Sequence, residues 1–272
     1  MAHTKLEIIS QVMGLREMIG LSPTDIVPNI ENSVSDIGYI LAENSFGDRF
    51  SAYCTYVEND KFAIVLNTDH DWNENFRRFT ISHEIGHLNL IQHLAALQKG
   101  NLQKSLPEFQ TMNPIEKEAD YFAINFLAPK VAFKKVTQFQ NFSFDSILII
   151  GKHFGISILA SAFRFVELTD LTCALISIDV STGKVKYEKR SHEFEELGYA
   201  GYLYGKKVPT GTNMFDVLKS TPVSFPYTDE VNLIDWYPDL KRKANCTESI
   251  MHLGYNNTFV VLLELSESLD EE

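Results

Sequence analysis

The run His83-Glu84-Ile85-Gly86-His87 constrains this chain more than any other stretch of it. Two histidines four apart fall on one face of an α-helix, about 6 Å from each other, close enough to share one metal ion. Neutral imidazoles suit Zn²⁺, and Glu84 stands on the adjoining flank, where a carboxylate can take the proton of an attacking water. Shuffling the eight His and 21 Glu of these 272 residues would produce about 0.02 such motifs by chance. At about 100° per residue, Ile81, Ile85 and Leu88 form one apolar face, and His83 and His87 share the opposite side with Leu90 and Leu94. A helix that is apolar on two sides must be buried, and two histidines on it need partners there. Those partners are either core hydrogen bonds or a metal.

A catalytic zinc usually takes three protein ligands and leaves a fourth position open. About thirty residues on, Glu116-Lys117-Glu118-Ala119-Asp120-Tyr121-Phe122-Ala123 offers the third. Glu116, Ala119, Asp120, Ala123 and Leu127 share one helical face, and Glu118 points the other way. The alanines would let a neighbouring helix approach closely, so Glu116 is the better ligand. Asp120, one turn later, is placed to orient a ligating imidazole. Asn113 as N-cap with Glu116 at the third helical position is also a capping box, which would occupy the same carboxylate. His93, Tyr121 and His153 are candidates for stabilising an oxyanion.

The organisation around these helices reads as α+β. Residues 3–19 have helical spacing, and Ser33–Glu43 reads as a second short helix. Phe50–Val57 and Lys61–Asn67 are β-rich runs around the turn Glu58-Asn59-Asp60, hence a hairpin. After the polar loop Asp69–Asn75, one helix is expected from about Phe76 to Leu97, then the polar connection Lys99–Thr111. Asn113-Pro114 opens the next helix, which ends before Pro129. Residues 142–168 have helix-turn-helix texture, with Gly151 at the crossing, Gly155 at the turn and Ser157 as a cap. A DNA-reading helix needs basic and polar residues, and from Ile158 to Phe165 only Arg164 is charged. Packing of these helices on a core is therefore the favoured reading. Beyond Thr169, Thr172–Asp179 and Lys184–Arg190 flank a hairpin turn at Ser181-Thr182-Gly183, and Thr258–Leu265 follows the turn Gly254–Asn257. The expected divisions are residues 1–140, 141–168 and 169–272.

The run Arg77-Arg78-Phe79-Thr80-Ile81-Ser82 leading into His83–His87 is followed by Glu116, Ala119, Phe122-Ala123 and the close Leu127-Ala128-Pro129. With the strand that ends at Asn67, this pattern resembles the ImmA/IrrE family of metallopeptidases. The resemblance rests on about residues 50–130. It implies a zincin-like peptidase domain of helices and a small antiparallel sheet over residues 1–140, then the helix-turn-helix-like segment. By position, residues 169–272 are similar to a GAF-like sensory domain. It implies one zinc per chain on His83, His87 and Glu116, with Glu84 as general base. It also implies cleavage of helix-turn-helix repressor proteins, which releases stress, prophage or mobile-element genes. Asp120 departs from the pattern, since many members have Asn there.

Composition limits the alternatives. The chain is 44% hydrophobic and 22% charged, which is ordinary globular texture. Its net charge is −12, of which −4 belongs to residues 1–166 and −8 to residues 167–272. That balance argues against a broad phosphate-binding surface, and a basic protein partner fits better than nucleic acid. Lys241-Arg242-Lys243 is a short solvated basic run, and Glu264–Glu272 is an acidic end. Cys54, Cys173 and Cys246 are far apart, without a CxxC pair, so a disulfide framework is not expected. No signal-peptide core or membrane-length apolar run is visible, so a cytoplasmic enzyme is expected. The alternative is a transcription-regulatory or binding module whose metal site is structural.

Overall fold

The computed structural model describes residues 3–47, 50–57, 61–70, 72–98, 103–105, 113–199, 201–219, 225–240, 243–254 and 257–266. The turn Glu58-Asn59-Asp60, most of Lys99–Thr111, Lys241-Arg242, Tyr255-Asn256 and the acidic end beyond Ser266 lie outside these. The chain is α+β and divides into two compact units, Met1–Lys135 with Gly151–Ser157, and Val136–Ile150 with Ile158–Glu272. Residues 141–168 are thus shared between the two.

The first unit begins with α1 (Lys5–Met18), which Thr4 and Glu7 close with a reciprocal capping box. Next comes α2 (Ile30–Ile37), capped by Asn29 and stopped by Gly38 at φ 91°. The helix expected over Ser33–Glu43 therefore ends early, and its second half is a strand, β1 (Ile40–Asn44). A left-handed glycine terminates a helix whatever the apolar spacing beyond it.

The expected hairpin is present as β2 (Ala52–Tyr56) and β3 (Phe62–Asn67), with Cys54 opposite Ile64. β1 lies parallel to β3, and β4 (Gln103–Ser105) pairs antiparallel with β2, so the sheet runs β1-β3-β2-β4. Asn67 ends β3 and ties the loop beside it. Its side chain donates to the carbonyls of Gly47 and Phe50 at 2.6 and 2.7 Å and accepts from the Phe46 amide at 3.1 Å.

Two helices follow the sheet where one was expected. α3 (Glu74–Asn89) starts at the Asn73 cap, and α4 (Ile91–Gln98) starts after Leu90, whose backbone is extended. Leu90 is fully buried, so the break trades one turn of helix for a buried apolar anchor. α5 (Pro114–Leu127) has proline in its first turn and Asn113 accepting from the Ile115 amide. α6 (Lys130–Thr137) has no counterpart in the sequence reading.

The unit is built on the crossing of α3 with α5. Gly86 faces the Phe122 ring so closely that a Cβ there would sit 3.1 Å from Phe122 Cβ and Cγ. Ala119 and Ala123 are fully buried in the same helix as Phe122. Small residues on both helices therefore set the spacing.

The second unit centres on a five-stranded antiparallel sheet of β5 (Cys173–Asp179), β6 (Lys184–Arg190), β7 (Tyr227–Asn232), β8 (Asn245–His252) and β9 (Thr258–Leu265), ordered β6-β5-β9-β8-β7. β5 and β9 are buried along nearly their whole length, as central strands should be. Short helices α9 (His192–Glu195), α10 (Asn213–Lys219) and α11 (Leu233–Trp236) fill in around it, and Trp236 and Tyr237 are fully buried.

The helix-turn-helix-like pair is α7 (Phe144–Phe154) and α8 (Ile158–Leu168), bent by 104° around Gly155 at φ 63°. On α8, Arg164 is buried and pairs with Glu167 at 2.7 Å. No single described helix is long and apolar enough to cross a membrane.

Two stability measurements test this packing. Gly86→Val should lower the unfolding free energy by about 2 kcal/mol through overpacking against Phe122. Gly14→Ala, on open α1 surface, should raise it by about 0.5–1 kcal/mol. Equal urea midpoints for both variants and the parent would refute the close crossing.

Glu248 supplies the second test. It is fully buried on β8 and accepts the amides of Asn213 and Met214 at 2.9 and 3.0 Å. Burial pushes its carboxyl up from an ordinary 4.5 to about 7, against the pull of those amides. Between these values the unfolded chain has already lost the proton and the folded chain retains it, so stability falls as pH rises through this window. The unfolding free energy of the parent should therefore drop relative to Glu248→Gln between pH 5 and pH 8, by on the order of 2 kcal/mol.

Candidate metal centre

Helix α3 is polar where it is most buried. His83, Glu84 and His87 are 5%, 0% and 0% exposed, with β2 and β3 on one side of the helix and α5 on another. A one-turn spacing brings His83 Nε2 within 3.0 Å of His87 Nε2. α5 delivers Glu116 to the same place. Its Oε2 lies 3.2 Å from His83 Nε2 and its Oε1 lies 3.6 Å from His87 Nε2. One donor atom from each of the three residues falls within 4.8 Å of the others. The Glu116 carboxylate is thus turned to the histidines, while the cap at Asn113 is made with Ile115.

The outer nitrogens of both rings are also held. Asp120 Oδ1 lies 2.9 Å from His83 Nδ1, one turn beyond Glu116 on α5. His87 Nδ1 meets His93 Nδ1 at 3.0 Å. The set therefore offers two imidazole nitrogens and a carboxylate oxygen converging on one point, with a fixed partner behind each ring. This is a donor set that suits Zn²⁺ and leaves a fourth position.

Charge is organised in the same way. Burial opposes a proton on His83, but the hydrogen bonds to Asp120 and Glu116 outweigh it and hold the ring up at about 10. Burial would raise Glu116, but the two imidazoles bring it down to about 2. His87 is pushed by burial down to about 4, and His93 is lowered for the same reason. His83 and Glu116 are thus a mutually stabilised charged pair at the point where the three donor atoms converge.

Glu84 lies buried beside Cys54 of β2, whose thiol is pushed up first by burial and then by the Glu84 charge. Cys54, Cys173 and Cys246 are all buried free thiols. The three residues proposed from sequence for an oxyanion fall in different surroundings. His93 meets His87, the Tyr121 ring faces Lys5 Nζ at 5.2 Å, and His153 packs edge-on against Phe154.

A second cluster was not foreseen. His93 Nε2 lies 3.2 Å from Glu118 Oε2, and His3 Nδ1 lies 2.6 Å from the same oxygen. An unbroken helix through Leu97 would carry His93 away from His87, so the break at Leu90 is what creates this contact. Nothing in the run Leu90-Ile91-Gln92-His93 signals that break, because its apolar spacing continues the helical pattern.

Residues 43–166 match the model of a peptidase family described as the IrrE N-terminal-like domain. No curated protein matches the chain. Among solved structures, a Mycobacterium tuberculosis transcriptional regulator is similar with a TM-score of 0.58 and 11% identity, over 96% of this chain and 76% of that one. At that identity the likeness is one of fold. The histidine–glutamate site lies inside the matched segment, and residues 43–166 match the family to which the motif pattern points.

Proposed function

We propose that this chain is a cytoplasmic zinc-dependent endopeptidase that cuts a helix-turn-helix repressor and so switches on the genes it holds silent. The observation that supports this best is the convergence of His83 Nε2, His87 Nε2 and the Glu116 carboxylate on one point, with Glu84 buried on the same helix. In this reading His83, His87 and Glu116 hold one zinc ion per chain. When bound, the ion supplies a Lewis acid for the scissile carbonyl and lowers the pKa of a water beside it. Glu84 takes the proton of the attacking water and returns it to the leaving amine. Asp120 holds His83 in register through Nδ1.

The regulatory part of the proposal rests on the family resemblance. The neighbour described as a transcriptional regulator accords with it. The net charge of −12 suits a basic protein partner such as a DNA-binding repressor. The same charge, and the pairing of buried Arg164 with Glu167, favour no direct contact with DNA.

A second reading follows from that neighbour: a regulatory module in which the metal is structural. The variant Glu84→Gln separates the two. The peptidase reading expects one zinc bound per chain, lost on His83→Ala. It also expects repressor cleavage to fall at least about 100-fold in Glu84→Gln while zinc is retained. Undiminished cleavage in that variant would sink the mechanism. Stoichiometric DNA binding without cleavage of any candidate repressor would favour the structural reading.

Zinc uptake should also be linked to pH. His83 is held protonated up to about 10, and Nε2 must be bare to ligate. Each zinc bound near pH 7 should therefore release about one proton, and affinity should weaken as pH falls. Calorimetry in two buffers of different ionisation enthalpy measures that proton, and a count of zero would contradict the ligand set.

A further inference from the structure

We infer that Glu118 and His93 are positioning residues that fix the tautomer of His87, so that its Nε2 lone pair faces His83 and Glu116. The inference rests on the proposed reading of that trio as the metal site.

The argument is a count of protons along a chain of contacts. Glu118 Oε2 is met by His3 Nδ1 at 2.6 Å and by His93 Nε2 at 3.2 Å, and Glu118 Oε1 accepts the His3 amide at 3.0 Å. An ionised carboxylate only accepts, so the hydrogen of His93 sits on Nε2. A neutral imidazole has one N–H, which leaves Nδ1 of His93 as an acceptor. Facing it at 3.0 Å is His87 Nδ1, which must then be the donor. His87 is thereby left with a bare Nε2, the atom 3.0 Å from His83 Nε2 and 3.6 Å from Glu116 Oε1. One carboxylate, two residues removed from the ligand Glu116 on α5, selects the protonation pattern of a ring it does not touch.

The backbone is shaped for this chain. Six residues of unbroken helix turn through about 600°, which would put His93 about 120° around the axis from His87. The extended backbone at Leu90 folds α4 back so that the two rings meet, with centroids 5.0 Å apart. His93 is 1% exposed, so water does not compete for its nitrogens.

His3, His93 and Glu118 also have the composition of a metal site of their own, with ligand atoms within 4.8 Å. The proton count argues against that use. A metal on His93 Nε2 would move the hydrogen to Nδ1. That would force the hydrogen of His87 onto Nε2 and block the first site. Two metals could be held together only if one ring gave up both protons.

Nitrogen-15 shifts of labelled histidines in the metal-free full-length chain read the tautomers directly. His93 with its hydrogen on Nε2 and His87 with its hydrogen on Nδ1 are expected, and His93 protonated on Nδ1 alone would overturn the inference. Zinc affinity, measured by competition with a chromophoric chelator, is the second readout. Glu118→Ala and His93→Leu should each weaken it about 10–100-fold. His93→Gln, whose amide oxygen can still accept from His87 Nδ1, should recover most of the loss. Wild-type affinity in both Glu118→Ala and His93→Leu would refute the relay, as would a second zinc in the parent that is lost on His3→Ala. A parent chain that binds no zinc, or keeps it in His83→Ala, would instead refute the metal-site reading itself and the inference with it.

Discussion

Burying two imidazoles and a carboxylate on one helix is the constraint to which the rest of the first unit answers. Leaving a buried polar group without a partner costs a few kcal/mol, and α3 buries His83, Glu84 and His87 within one and a half turns. The structure meets that demand from several directions. Glu116 and Asp120 come from α5, and His93 comes from α4. The two from α5 reach their rings because α3 and α5 cross closely, and His93 reaches because the chain breaks at Leu90. Gly86 against Phe122, with Ala119 and Ala123 alongside, is therefore as much a part of the site as the ligating atoms.

The chemistry was legible in the sequence because it depends on short-range periodicity. His83 and His87 share a face by spacing alone, and Glu116 with Asp120 repeats the same step on the next helix. The two alanines flagged the close approach, although its counterpart at Gly86 and Phe122 needed coordinates. Strong punctuation was equally readable, as at Asn113-Pro114 and around Gly183 and Gly155. What escaped was decided by tertiary context. Gly38 takes a left-handed conformation and ends α2, and only then does Ile40–Asn44 become free to pair with β3. Leu90 breaks an otherwise helical pattern because burying that side chain outweighs one more turn. α6 follows Pro129, which in the sequence marks only the stop of α5. In the second unit, β7 and β8 are too polar on one side to stand out without knowing which face the sheet hides.

The histidines also show why composition is a poor guide to role. Of the eight in the chain, His83, His87, His93 and His3 gather within a few ångströms, although His3 lies far from the others in sequence. Their environments differ sharply. His83 is held charged by two carboxylates, whereas His87 is kept neutral by its enclosure. Two rings one turn apart thus pull on a proton in opposite senses, because α5 sets two carboxylates against His83 while burial prevails at His87.

His3 has a practical bearing. Both its ring and its backbone amide are bound to Glu118, so the segment just ahead of α1 is wired to the interior of the site. Anything joined to that end of the chain, such as a purification handle rich in histidine, would be delivered to a cluster of buried imidazoles and carboxylates. Metal stoichiometry measured on such a fusion would mix the ligands of the handle with those of the protein.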